Sequence, residues 1–585
     1  AKNSTGSGNA FRQTGVANSA NTSSLAPAPS LFSGSVDALS ALSMKNDNKT
    51  ANLNSQVEME YSPFDGLRFS TTLSYNFKVA NQDRFLPEAL NSNASEVYSY
   101  NDRLNTLYNR NMISYTKELA EKHILSAYVF NESEVSNYQA DVMQLTGTPN
   151  DQFTSGLGYS SIYALGGTLK GLYELRTLGY AGNFSYNYDS KYILEFSYRL
   201  DGTSTTGSAN PWSNLPSIGA RWNFKNESFM ENWESLDYGM IRGSWGKNII
   251  PSGSIYDVYG RYTSDIETYN NQSSVTLDMN TIPNISLLPQ TTTMLNGAIE
   301  FGFKNGLTFL YENYYKQSDQ ILRTKKIANI NAFGNVNTNE TSLVNMGHEF
   351  IIGYRPRKSG DFSYSFNLNG ALNRDYTAAL PDDVRQLLLQ DNSVYKQSIL
   401  YRLGINALSN VLLHYRGVYE SDDQVPINPL TGLRYRMGGS LADERFFRAG
   451  DPIWTDLNGD YILDEKDFVI VGNSQPVFTG GFNAFLQYKS WSLNSQFFMT
   501  FKRDVLNNAL ADRLRNYSDP AGLADSGPGA LVPIENMDIW TPSNTSSYFP
   551  NIYDFRRNRF IDPFRYDQTL FQEDGSYFKF TTATL

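Results

Sequence analysis

Between Gly179 and Gly202 the chain alternates with a period of two. Tyr180, Phe184, Tyr186 and Tyr188 share one parity, and Asn183, Ser185 and Asn187 hold the other. After Asp189-Ser190 the alternation resumes, with Tyr192, Leu194, Phe196, Tyr198 and Leu200 on one face. Lys191, Glu195, Ser197, Arg199 and Asp201 occupy the opposite face. Successive side chains of a β-strand point to opposite sides of the pleat, so the pattern predicts two strands joined by a tight turn. Each is about 9–11 residues long, the length that crosses a bilayer at a tilt.

The unit repeats. A first hairpin turns at Asp65-Gly66, with Leu67, Phe69, Leu73 and Tyr75 on one face beyond it. Others pair 107–117 with 122–131 and 215–225 with 236–246, or turn at Asn305-Gly306, near 357–360 and at Lys489-Ser490. A last strand starts near Tyr577. About fifteen strands result, and their connections alternate between very short and very long, with long loops near 78–106, 132–178, 247–293, 374–477 and 503–575. A propeller would show four-stranded blades every 40–45 residues or so. Short turns on one side and long loops on the other are the mark of an outer-membrane barrel. The predicted fold is therefore an all-β transmembrane antiparallel barrel over 51–585, preceded by a Ser- and Asn-rich, loop-like lead-in over 1–50. Lipid offers no hydrogen bonds, so such a sheet must close on itself. The charged parity, with Glu195 and Arg199, then faces a watery lumen.

Composition agrees. Mean hydropathy is -0.44 and no run of roughly 18 apolar residues occurs, which excludes a transmembrane helix but not a barrel, where only alternate residues meet lipid. Aromatics reach 14%, with 39 Tyr and 35 Phe, as interfacial girdles require. The absence of Cys excludes disulfides and thiolate chemistry, and a net charge of -11 argues against nucleic-acid binding. The chain starts at Ala1 without Met and ends at Leu585 inside an alternating run. It is expected to be a fragment of a longer one.

An ordered series of motifs carries a family resemblance. Arg199-Leu200-Asp201-Gly202-Thr203-Ser204 is followed by Leu215-Pro216-Ser217, Trp222, Glu227-Ser228-Phe229 and Ile241-Arg242-Gly243-Ser244-Trp245-Gly246. Then come Pro283-Asn284 with Leu288-Pro289-Gln290, Asn345-Met346-Gly347-His348-Glu349, Gly450-Asp451-Pro452 with Asp456-Leu457-Asn458-Gly459-Asp460, and Asp574-Gly575-Ser576-Tyr577-Phe578-Lys579. The series, over roughly 179–585, resembles that of SusC/RagA-type TonB-dependent outer-membrane transporters. Gln290, Lys579 and Trp245 stand where that family usually has Glu, Arg and Tyr. The resemblance implies a 22-stranded barrel, of which this chain supplies about 15 strands, with the plug and TonB box outside it. It further implies TonB-dependent import of a glycan or peptide, a SusD-like lipoprotein over the mouth, a TonB complex, an outer-membrane location and no enzymatic activity. A passive porin and a surface adhesin barrel are the alternatives.

One stretch has metal-ligand spacing. Asp456, Asn458, Asp460, Asp464 and Asp467 supply oxygens at positions 1, 3, 5, 9 and 12 of a twelve-residue loop, with the Ile462 carbonyl at 7, the spacing that wraps calcium. Tyr461 replaces the usual Gly at position 6 and Asp467 the longer Glu at 12. The stretch reads either as a structural calcium site or as a solvated acidic turn in a long loop, and no cofactor is required for transport. His123, His348 and His414 lie too far apart in sequence to suggest a metal set, and the pairs Asp382-Asp383 and Asp422-Asp423 read as solvated loop charge. Trp212, Trp454 and Trp540 are expected in loops, where aromatic faces stack on sugars or pack the loop itself.

Overall fold

The structure is a computed structural model. It describes residues 44–87, 95–146, 164–205, 207, 211–250, 253–269, 272–356, 361–382, 384–390, 398–518, 534 and 536–585.

Fifteen long strands follow one another in a single antiparallel sheet. They are β1 (Lys45–Phe64), β2 (Leu67–Leu86), β3 (Glu96–Leu119), β4 (His123–Thr146), β5 (Ala164–Tyr188), β6 (Tyr192–Thr203), β7 (Trp212–Trp222) and β8 (Leu236–Ile250). The rest are β9 (Gln290–Phe303), β10 (Leu307–Lys326), β11 (Asn335–Tyr354), β12 (Phe362–Ala379), β13 (Phe478–Tyr488), β14 (Trp491–Phe501) and β15 (Tyr577–Thr584). Spatial order equals chain order, and only the two-residue strand Thr281–Ile282 joins off this path, parallel to β11. Among the described residues β1 pairs with β2 alone and β15 with β14 alone. The predicted hairpins are all present. At the β5–β6 turn Asp189 and Ser190 both take positive φ, near 54°, the backbone twist that matches two right-twisted strands.

Parity settles which face is wet. Phe184, Leu194, Phe196, Tyr198 and Ile218 are all exposed on the outer face, where lipid covers them. Among the described residues no helix is long and apolar enough to cross a membrane.

Strand length departs from the sequence expectation. β3 and β4 have 24 residues and β5 has 25. At ~3.3 Å per residue and a tilt of ~45°, a ~25 Å apolar band takes only about eleven. The rest projects beyond it. The expected loops at 78–106 and 132–178 are therefore largely strand, and Lys45 to Thr50 belong to β1 instead of the 1–50 lead-in; residues 1–43 lie outside the described part. Above the band both faces meet water, so polar residues such as Asn81, Asn101 and Asp141 occupy the outer parity too. The alternation disappears while the ladder Asn81↔Asn101↔Asp141 continues.

The long connections 374–477 and 503–575 are not open loops. They carry the largest fully buried side chains, Phe447, Phe564 and Phe571. The 247–293 connection holds a short helix, α1 (Ile255–Tyr259), and a small hairpin.

Candidate functional site

On the lumen side Arg199 organises four strands. Its Nε lies 2.8 Å from both carboxylate oxygens of Asp201 on β6, and its Nη2 donates to Glu132 on β4. Tyr108 on β3 donates to the other Glu132 oxygen at 2.8 Å. Between Glu132 and Asp201 in the register sits Gly179 of β5. A Cβ there would stand 2.8 Å from Asp201 Oδ1 and 3.1 Å from Arg199 Nη2, so only glycine lets the charges meet over β5. The same device recurs where Arg242 of β8 reaches Glu312 of β10 at 2.9 Å across Ala298 of β9. These bridges tie non-adjacent strands and hold a charged, water-facing wall.

The second feature is the folded loop domain. Helix α2 (Asn508–Ser518) and helix α3 (Phe555–Ile561) come from the 503–575 connection. Ile561 packs into a core with Leu413, Tyr419, Tyr435, Phe447, Trp454 and Leu463 from the 374–477 connection. A second core gathers Leu514, Ile539, Ile552, Phe564 and Phe571, with Tyr415 against it. Hydrogen bonds cross the seam, from Trp454 Nε1 to Gln568 Oε1 at 2.9 Å and from the Leu413 amide to the Asp567 carbonyl at 2.8 Å. Arg557 ion-pairs with Asp451, both buried. Arg557 also donates to the Phe446 carbonyl at 2.7 Å, and Asp451 accepts the Arg448 amide at 2.7 Å. Burial pushes the Asp451 carboxyl up to about 6, while Arg557 opposes the rise. Two stretches separated by a membrane hairpin thus make one body. Apolar residues without alternation, such as Leu412-Leu413, Phe446-Phe447 and Leu570-Phe571, are the signal that could have found it.

The acidic turn at 456–467 lies in this domain. Asp456 accepts the amides of Gly459 and Tyr461 at 2.8 and 2.9 Å, Asn458 that of Asp460 at 3.0 Å, and Asp460 that of Ile462 at 2.8 Å. Tyr461 does take the left-handed conformation, with φ 64°, as position 6 of the loop requires. Asp464 accepts the Lys466 amide at 2.8 Å. Asp467, fully buried, spends its two oxygens on the amides of Leu457 and Asp464, at 2.9 and 2.8 Å. Burial holds its carboxyl above the usual range, and Asp456 and Asp464 add to the rise. Among the described residues no group of three or more His, Cys, Asp or Glu side chains is placed to hold a metal ion. Calorimetric titration of the chain with calcium tests the expectation; heat at one equivalent upholds it and no heat removes it.

The remaining candidates separate. His123, His348 and His414 each meet a different hydroxyl, on Tyr186, Tyr311 and Thr455. Asp422 pairs with Arg434 at 3.2 Å and accepts the Ala449 amide, which with that pairing holds its carboxyl below the ordinary value. Asp383 lies outside the described residues. Trp454 and Trp540 are buried loop packing, and Trp212 opens strand β7 instead of lying in a loop.

No family model matches the chain. Curated relatives do. A TonB-dependent receptor P3 of Formosa agariphila is 24% identical over 503 residues, covering 84% of this chain and 47% of that protein. The TonB-dependent receptor SusC of Bacteroides thetaiotaomicron is 28% identical over 206 residues, 33% of this chain and 20% of that protein. The chain spans about half the length of the curated relatives that it matches along most of its own length. Among solved structures, the RagAB peptide importer in its open-open state shares the fold with a TM-score of 0.74 at 16% identity, covering 98% of this chain and 57% of that one. The relatives are receptors and transporters, not enzymes. Sheet, motif order and relatives agree in likening this chain to a stretch of the outer-membrane β-barrel of SusC/RagA-type TonB-dependent receptors.

Proposed function

We propose that the barrel works in TonB-dependent import of a glycan or a peptide across the outer membrane, with a SusD-like lipoprotein over its mouth and a TonB complex acting through a plug. The observation that carries this reading is similarity to proteins named TonB-dependent receptors along 84% of the chain. The structure adds support of a physical kind. The lumen wall is charged and cross-braced, and the folded loops at the long-loop end are stabilised by their own cores. They provide a rigid surface on which a partner can dock without first paying the entropy of ordering them.

The test uses the complete gene in its native host. Deletion is expected to abolish uptake of a labelled glycan or peptide. Complementation is expected to restore uptake only while TonB and the proton gradient are intact. Uptake that survives loss of TonB, or steady ion conductance in a planar bilayer, makes the protein a passive porin. Surface binding without any uptake makes it an adhesin.

A further inference from the structure

We propose that the outer face of β3–β5, just above the membrane, carries a saccharide-binding groove closed by α1. It forms a cavity of about 590 Å³, within the range of ligand sites. Its floor is two adjacent cross-strand rows, Asn105–Asn137–Glu174 and Arg103–Gln139–Leu172. They lie on the face that carries Ile113 and Val129 lower down. At ~3.3 Å per residue and ~45° tilt, Asn105 stands about 35 Å from the short turn at Ala120, some 10 Å clear of the apolar band. Among the described residues β5 beyond Thr177 pairs with β4 alone. There Tyr256 of α1 donates to the Leu172 carbonyl at 3.3 Å and lays its half-exposed ring over the groove. A capping box between Ser254 and Asp257 fixes α1 in place.

The chemistry selects a sugar. The Tyr256 face can pack against the C–H face of a pyranose. Planar amides and a guanidinium present paired donors and acceptors to neighbouring hydroxyls. Arg103 donates to Gln139 at 2.9 Å, which fixes the orientation of both. Glu174 is ion-paired with Arg176 and Asp141 lies beside Gln139, so with Arg103 two cations and two carboxylates balance on this face and the groove favours a neutral ligand. The height above the band admits two sources of that ligand, a free oligosaccharide or the sugar of a lipid in the outer leaflet.

The experiment measures binding to the purified full-length protein in micelles, without TonB or energy. One arm uses neutral hexasaccharides of glucose, mannose and galactose, read by saturation-transfer NMR and calorimetry. The other uses vesicles of lipopolysaccharide with and without core sugars. Binding in either arm is expected to weaken at least tenfold in Tyr256→Ala and in Gln139→Ala, and to persist in Tyr256→Phe, which keeps the ring. The arm that binds names the source. No binding in both arms, or binding unchanged by both alanine variants, overturns the proposal. It stands apart from the cargo of the barrel, since uptake independent of TonB would remove the importer and leave this groove.

Discussion

Replacing Arg557 by leucine is expected to loosen the folded loops by about 3–5 kcal/mol while the barrel strands stay intact. Asp451 has its charge in the domain interior, 4% exposed. Removing its cation leaves that carboxylate with only the Arg448 amide among the bonds described above, and an unpaired buried charge is far costlier than a paired one. Gly450 beside it has φ 88° and lies against Trp540, so the backbone there cannot readily shift to expose the carboxylate. Hydrogen exchange checks the result. Amides of Leu413, Phe447 and Phe571 should lose protection, and those of β5 and β6 should not. The double variant Asp451→Asn with Arg557→Leu removes both charges and is expected to recover more than half of the loss. If it is as loose as Arg557→Leu alone, the ion pair is not what joins the loops.

The same pair sets a pH dependence. Burial raises the Asp451 carboxyl to about 6 in the folded domain, against about 3.9 unfolded. The folded state therefore binds the extra proton between these values, and stability rises as pH falls through 6 towards 4. The full difference corresponds to roughly 3 kcal/mol. Asp467 and Asp562, also raised first by burial, act in the same direction. Asp422, held low by the Ala449 amide first and by Arg434, acts oppositely, at more acid pH. Protection of the loop amides is accordingly expected to increase between pH 7 and pH 5.

What could be read from the sequence was whatever the bilayer enforces. Tyr192 to Leu200 alternate because one face meets lipid and the other water, and that constraint is written residue by residue. Strand number, hairpin positions and the lumen parity of Arg199 and Asp201 followed from it. Outside the bilayer the constraint lapses. Asn101 pairs with Asn81 and Asp141 in unbroken strands, yet nothing in these residue types marks a strand, since both of their faces are wet. The loop domain was hidden for a different reason. Its core joins Phe447 to Ile561 and Leu514 to Phe571, contacts between segments that no local period connects. Even Asp451, which lies in a stretch resembling a family motif, shows its purpose only once Arg557 of α3 is seen against it.

The parity itself can be broken at will. Phe196→Arg is expected to cost roughly 2–4 kcal/mol, because this outer-face residue lies about 15 Å from the β5–β6 turn, close to the centre of the apolar band. Its partners in the register, Phe184 and Ile218, are themselves exposed to lipid, so the guanidinium finds neither water nor a carboxylate. Ser185→Arg introduces the same charge one row away on the other face. There Ser185 stands opposite Glu195, and an opposite-charge cross-strand pair in water is worth a few tenths of a kcal/mol in favour. That variant should stay within about 0.5 kcal/mol of the parent. Urea unfolding of the full-length barrel from lipid vesicles measures both. Equal losses in the two variants would mean that both faces of β5 and β6 are dry, which no water-filled lumen allows. The expected asymmetry arises because one side of a strand faces hydrocarbon and the other does not.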